Sequence, residues 1–216
     1  MSRAVALNLI SRAVLSGIER AVKDADARFG MWLNEVPEYY VTTKVGESLA
    51  ASLGDKGWVY LEKSSRSVLK ESRACTTGRH SKVLGKKSRF DLTVCYSDNR
   101  PRAVVEIKSP VYCMDASIRR DVERLCRTIS RGAASSSLQC GILGMYTDAT
   151  IPSRKDATSS ARVRRFASTT WPAAVKAIVD KFGLRASVLP SRVRRIRHEH
   201  LPGFEAWMAV VIVVSP

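Results

Sequence analysis

The sequence predicts an α/β fold, a central mixed β-sheet flanked by helices, on three observations. Short apolar strands bounded by turn residues recur through the middle of the chain. Stretches with apolar residues three and four apart, the mark of amphipathic helices, precede and follow them. Two of the strands, Phe90–Tyr96 and Ala103–Lys108, are separated only by Ser97-Asp98-Asn99-Arg100-Pro101, a polar turn that makes them a hairpin. The order read along the chain is helix, three strands, helix, strand. A further helix stands before it, and a helix and a strand after it.

The 216 residues suit one domain. It divides into an N-terminal helix over 1–30, a core over 36–150 and a basic C-terminal helix and strand over 151–216. Leu7, Ile10, Val14, Ile18 and Val22 define the first helix, which Gly30 ends. In the second, Asn34 is placed to cap and Pro37 suits the first turn. Val41, Val45, Leu49 and Leu53 form its buried stripe, with Gly54 at its end. Glu38 lies three residues before Val41 and shares that stripe, whereas Glu47 falls on the opposite, wet face. An acid on an apolar helix face needs a partner; Glu38 is the candidate and Glu35 the reserve.

Gly57 leads into a strand at Trp58–Leu61, and 64–88 reads as mostly irregular and basic, with Lys86-Lys87 near its end. After the hairpin, Ser109-Pro110 stops the strand and Asp115 caps a helix with Ile118, Val122, Leu125, Cys126 and Ile129 on one face. Asp121 flanks that stripe, and Arg120, Arg124, Arg127 and Arg131 gather on the other face, read as the lining of a nucleic-acid groove or, more simply, as the helix's wet side. Leu138–Tyr146 reads as a buried strand. From Ile151 the chain turns polar, and a helix through Val175, Ile178, Val179 and Phe182 ends near Gly183. The arginine clusters at 162–165 and 192–197 flank that helix, and an apolar run, Ala206–Val214, closes the chain.

The net charge of +16 implies a polyanionic partner, of which nucleic acid is the commonest. The expected phosphate contacts are Lys86, Lys87, Arg164, Arg165, Arg194 and Arg195, since guanidinium forks match phosphate oxygens. Five cysteines stand singly with no Cys-x-x-Cys pair, as in a cytoplasmic protein with reduced thiols. The N-terminal pattern, interrupted by Arg12, Glu19 and Arg20, is not that of a secretion signal. The run Ala206–Val214 is too short for a membrane-spanning helix, so no membrane partner is expected.

The hairpin carries charges that an apolar sheet does not accept cheaply. Glu106 and Lys108 point to one face of their strand, Val105 and Ile107 to the other. Antiparallel pairing brings Asp91 beside them. Two carboxylates and an ammonium then crowd one patch, which is costly unless a cation and a phosphate complete it. No other lysine in the chain has an acid two residues before it.

Asp91, fourteen intervening residues, and Glu106-Ile107-Lys108 resemble the motif of the PD-(D/E)xK nuclease superfamily, with Phe90 where that family often has proline. The resemblance covers about residues 36–150. It implies a restriction-endonuclease-like core of α-β-β-β-α-β order and a divalent-metal-dependent nuclease, an endonuclease among them, that hydrolyses phosphodiester bonds. By the same resemblance Asp91, Glu106 and the Ile107 carbonyl bind Mg²⁺ or Mn²⁺, Lys108 contacts the attacking water and the scissile phosphate, and Glu38 adds a further carboxylate. DNA is favoured over RNA as substrate. An RNA-cleaving nuclease, and an inactive nucleic-acid-binding module of the same fold, are the alternatives; a homodimer or larger complex is left open.

Overall fold

The computed structural model describes residues 7–74, 84, 88–132, 136–151, 157–197 and 204–216. Its elements are α1 (Leu7–Phe29), α2 (Glu38–Leu53), β1 (Gly57–Ser64), α3 (Ser65–Glu71), β2 (Arg89–Tyr96), β3 (Pro101–Lys108), α4 (Ala116–Ile129), β4 (Cys140–Ile151), α5 (Ala157–Arg165), α6 (Trp171–Val179), β5 (Arg185–Pro190), β6 (Arg194–Arg197) and β7 (Phe204–Ser215). One turn of π-helix, Phe166–Thr170, joins α5 to α6.

The strands form one mixed seven-stranded sheet in the order β1-β2-β3-β4-β7-β5, with β6 also paired to β7. β3 and β4 run parallel, joined through α4, the kind of crossover that a parallel pair requires. The other pairings are antiparallel. Helices cover both faces. α1 and α2 pack on Leu92, Val105, Ile107, Ile142 and Val211. α4, α5 and α6 pack on Val104, Leu143, Met145, Val210 and Ile212. β7 runs between β4 and β5, buried on both sides, which is why its sequence is almost continuously apolar.

Four local expectations change. Asn34 does not cap α2. The helix begins at Glu38 with Pro37 at the N-cap, extended at φ −59° and ψ 144°, and Asn34 instead donates to the Tyr112 hydroxyl at 3.3 Å. Part of the stretch 64–88 is helical, because the Ser64 hydroxyl accepts from the Ser67 N–H at 3.1 Å and caps α3. β4 continues past Tyr146 to Ile151 along the length of β7. The segments 185–190 and 194–197 are strands, which neither propensity nor a clear alternation announces; pairing with β7 makes them so.

α1 belongs to the core. Its residues Ile10, Val14, Ile18 and Val22 are buried, and Gly17 lets the backbones of α1 and α2 touch. A Cβ at Gly17 would stand 2.5 Å from Val45 Cα, a backbone atom that cannot swing away. Gly17→Ala is therefore expected to lower unfolding free energy by about 1–3 kcal/mol, the usual cost of overpacking, read from urea midpoints.

Candidate functional site

The pairing of β2 with β3 runs from Cys95↔Pro101 to Leu92↔Val105 and stops there. Phe90 packs with the α4-side core and Leu92 with the α2-side core, so the two-residue alternation of β2 breaks at Asp91. On the neighbouring strand, Glu62 takes a left-handed φ of 51° at the same level. Where a strand partner is missing, the Asp91 side chain takes its place: the Ile107 N–H donates to Asp91 Oδ2 at 2.7 Å. The break in the ladder thus turns a carboxylate onto β3.

β3 keeps its alternation. Val105 and Ile107 enter the core against α1 and α2, and Glu106 and Lys108 face α4. α4 answers with Asp121 and Arg124, three residues apart and hence on one helical face. Arg124 Nε and Nη2 donate to Glu106 Oε1 at 2.9 and 2.6 Å, and Nη2 lies 2.8 Å from Asp121 Oδ1. Lys108 Nζ stands 3.2 Å from Asp121 Oδ2 and donates to Glu38 Oε1 at 3.1 Å. Glu38 reaches this point from the first turn of α2, and its Oε2 accepts the Ser109 N–H at 3.1 Å. Four acids (Glu38, Asp91, Glu106, Asp121) and two cations (Lys108, Arg124) therefore converge at the C-terminal end of β3.

Burial sets the electrostatics. The Glu106 carboxyl is held well above the ordinary carboxylate range, first by burial and then by the nearby Asp91 charge, with Arg124 opposing both. Burial likewise raises Asp91, partly offset by the Ile107 N–H. Burial disfavours the Lys108 ammonium, but Asp121, Glu38 and Asp91 outweigh it and its pKa is raised. Arg124 is held charged in the same way by Glu106 and Asp121.

Asp91, Glu106, Lys108 and Glu38 are thus brought together. Asp121 and Arg124 complete the cluster, and sequence reasoning assigned neither to it. Arg124 corrects the expectation of a solvated arginine face on α4: its side chain is 16% exposed and turned inward. The available signal was positional, because the helix after a charged strand end must pack over that end, and residues flanking its apolar stripe then meet the strand's charges.

The expected phosphate contacts that are described lie on α5 and β6. Arg164 and Arg165 are exposed on α5. On β6, Arg194 lies 3.4 Å from Glu19 Oε2 and over the Trp207 ring, and Arg195 donates to the Ser160 hydroxyl at 3.1 Å. Lys86 and Lys87 lie outside the described residues. The thiols of Cys95, Cys126 and Cys140 are free and pushed up by burial, to about 11 for the first and about 12 for the others.

Among the described residues no group of three or more His, Cys, Asp or Glu side chains is assembled as a metal cage. Lys108 and Arg124 sit among the carboxylates instead. The donors still fit a hard divalent ion in type, since all are oxygens. Glu106 Oε2 is buried and without a hydrogen-bond partner among the described residues, an acceptor that a cation would satisfy. No protein-family model, no curated protein and no solved structure matches this chain.

The raised Glu106 pKa gives a signed prediction. Between the ordinary carboxylate range and the folded-state value, the folded chain keeps a proton that the unfolded chain releases, so stability falls as pH rises through that window. In the presence of chelator, Glu106→Gln is expected to melt above the wild type at about pH 8. The advantage should vanish near about pH 3, more than a unit below the ordinary glutamate pKa, where the group is protonated in both states. A variant that melts lower at alkaline pH would show that Arg124 more than offsets the burial.

Proposed function

We propose that this chain is a divalent-metal-dependent nuclease of restriction-endonuclease-like fold that hydrolyses phosphodiester bonds, with DNA favoured over RNA. The observation that carries the reading is Glu106, a fully buried carboxylate with one unpartnered oxygen, pressed by Asp91 and followed two residues later by an ammonium at the strand end. A carboxylate so placed costs stability, and a cation shared with Asp91 removes the cost. The order α2, β1, β2, β3, α4, β4, with the short helix α3 inserted between β1 and β2, and the parallel pairing of β3 with β4 in one mixed sheet support the fold assignment. The net charge of +16 supports a polyanionic substrate.

Asp91, Glu106 and the Ile107 carbonyl are the groups proposed to hold Mg²⁺ or Mn²⁺. The carbonyl faces the same edge of β3 as the Ile107 N–H, the edge at which Asp91 sits. Bound there, a divalent ion makes its water more acidic and polarises a phosphoryl oxygen. The chain's own residues do the remaining work. Lys108, kept protonated by Asp121 and Glu38, offers a fixed positive charge to the oxygen on which charge develops. Glu38 ties the ammonium and the Ser109 N–H to the start of α2 and so orients it. Asp121 spans Lys108 and Arg124, holding the two cations apart and in register.

A second reading, a binding module of the same fold without activity, is favoured by one observation. Arg124 already neutralises Glu106, so the cluster can exist as an internal ion network. Incubation of the pure chain with single- and double-stranded DNA and RNA, in Mg²⁺, Mn²⁺ or chelator, separates the two. Cleavage that needs the metal is expected, reduced about 10²–10³-fold or more by Asp91→Asn, Glu106→Gln or Lys108→Met. Retention of full activity by any one of the three rejects the site, and metal-independent binding without cleavage selects the second reading. Replacing exposed Arg164 and Arg165 together by alanine is expected to flatten the slope of log affinity against log salt by about 2, near one per lost phosphate contact.

A further inference from the structure

The outer strand of the sheet carries large aromatic residues in the open. Among the described residues β1 pairs with β2 alone, and Trp58 is 54% and Tyr60 39% exposed. Tyr60 lies opposite Thr93, which lies opposite Val104 of β3. Cross-strand partners share a face, so Trp58 and Tyr60 stand on the face that also carries Glu106 and α4.

Neither ring is a loose surface residue. The Trp58 indole N–H donates to the Ser97 carbonyl at 3.3 Å, and the Tyr60 hydroxyl donates to Asn99 Oδ1 at 2.9 Å. Both acceptors belong to the β2–β3 turn, where Asn99 holds a left-handed φ of 65°. The polar tips are anchored, and apolar ring surface remains outside. Two strand residues set the Cα atoms of Trp58 and Tyr60 about 6.6 Å apart, close to two base steps of about 3.4 Å. From Tyr60, Glu106 is two strands across and one alternate position along, about 12 Å between Cα atoms by sheet spacing.

The surroundings are cationic. Lys63 of β1 sits with its Nζ 4.4 Å from the Tyr60 ring centroid and pairs with Glu71, and Arg89 of β2 pairs with Glu62 at 3.2 Å. Arg66 and Lys70 on α3 and Arg73 just after it are exposed. Anchored aromatic rings beside cations are what an unpaired base and its phosphate recognise together. Every base has a face to stack, and each phosphate needs a positive charge.

We propose that Trp58 and Tyr60 form a stacking platform for unpaired bases, so that the chain engages single-stranded nucleic acid, or the unpaired arm of a branched one, and leads it towards Glu106 and Lys108. This rests on the nuclease reading for its direction, but the binding itself needs no cleavage. In a duplex the base faces are already stacked on one another, so a duplex gains little from the platform.

The test is fluorescence anisotropy of a labelled 12-nucleotide oligothymidylate, and of a 12-base-pair duplex, titrated with the full chain in chelator. Trp58→Ala and Tyr60→Ala are each expected to weaken single-strand binding about tenfold and to leave duplex binding unchanged. Trp58→Phe and Tyr60→Phe, which keep a ring, should retain most of the affinity, and unchanged melting temperatures of all four variants establish that they fold. Single-strand binding that survives both alanine substitutions overturns the proposal, as does an equal loss of single-strand and duplex binding. A dimer of the wild type that Trp58→Ala converts to monomer also overturns it, assigning the surface to a second copy of the chain. Loss of cleavage in Glu106→Gln with wild-type single-strand binding supports both readings. A chain that binds as described but never cleaves leaves the platform standing and rejects the nuclease alone.

Discussion

A carboxylate buried inside a β-sheet is the constraint around which this molecule is built. Glu106 has no exposed surface, and its two oxygens have unequal fates: Oε1 takes the Arg124 guanidinium, and Oε2 takes no protein donor. Burial on this scale works against the charged form, and the neighbouring Asp91 adds repulsion. A sequence selected only for stability would place an apolar residue there, as it does at Val104 on the same face. The presence of an acid at that point is therefore itself information about use.

The fold supplies what the acid needs from three directions. β2 breaks its ladder with β3 at one residue and turns Asp91 onto the Ile107 N–H. α4 crosses over between the parallel strands β3 and β4, which obliges it to lie over the face that Glu106 and Lys108 share. α2, on the other side of the sheet, presents Glu38 from its first turn to the end of β3. The cluster thus sits where a helix start, a strand end and a crossover helix meet, a place no single element could have made. Its charges are mutually dependent: with Lys108 and Arg124 present the acids are tolerable, and with the acids present both cations stay protonated.

Much of the layout was legible before any coordinates. Period-two alternation placed Glu106 and Lys108 on one face and Val105 and Ile107 on the other, because side chains of a strand have no other choice. The 3.6-residue period placed Glu38 in line with Val41, from where it reaches the end of β3. Its side chain stays 38% exposed, little less than the 46% of Glu47, so the expected contrast between a buried and a wet acid is weak. Asp115 caps α4 with hydrogen bonds to Ser117 and Ile118, a local arrangement written in neighbouring residues. The failures have a common origin. Arg124 looked like one of four arginines on a wet face, and only the packing of α4 against β3 turned it inward. β5 and β6 carry no convincing strand pattern, and they exist because β7 offers them backbone partners.

By itself, then, the sequence determined those features that depend on residues close together in the chain: which stretches are helices or central strands, which way alternate side chains point, and that two acids and a lysine share a hairpin. Tertiary structure decided the partnerships across long separations. Lys108 meets Glu38, seventy residues away in the chain, and the edge rings Trp58 and Tyr60 are pinned by a turn thirty-nine residues on. The physical reason is that local backbone geometry is set by sterics within a few residues. Which charge lies against which is settled only when elements pack, since a buried ionic group must find its counter-charge wherever the chain brings one.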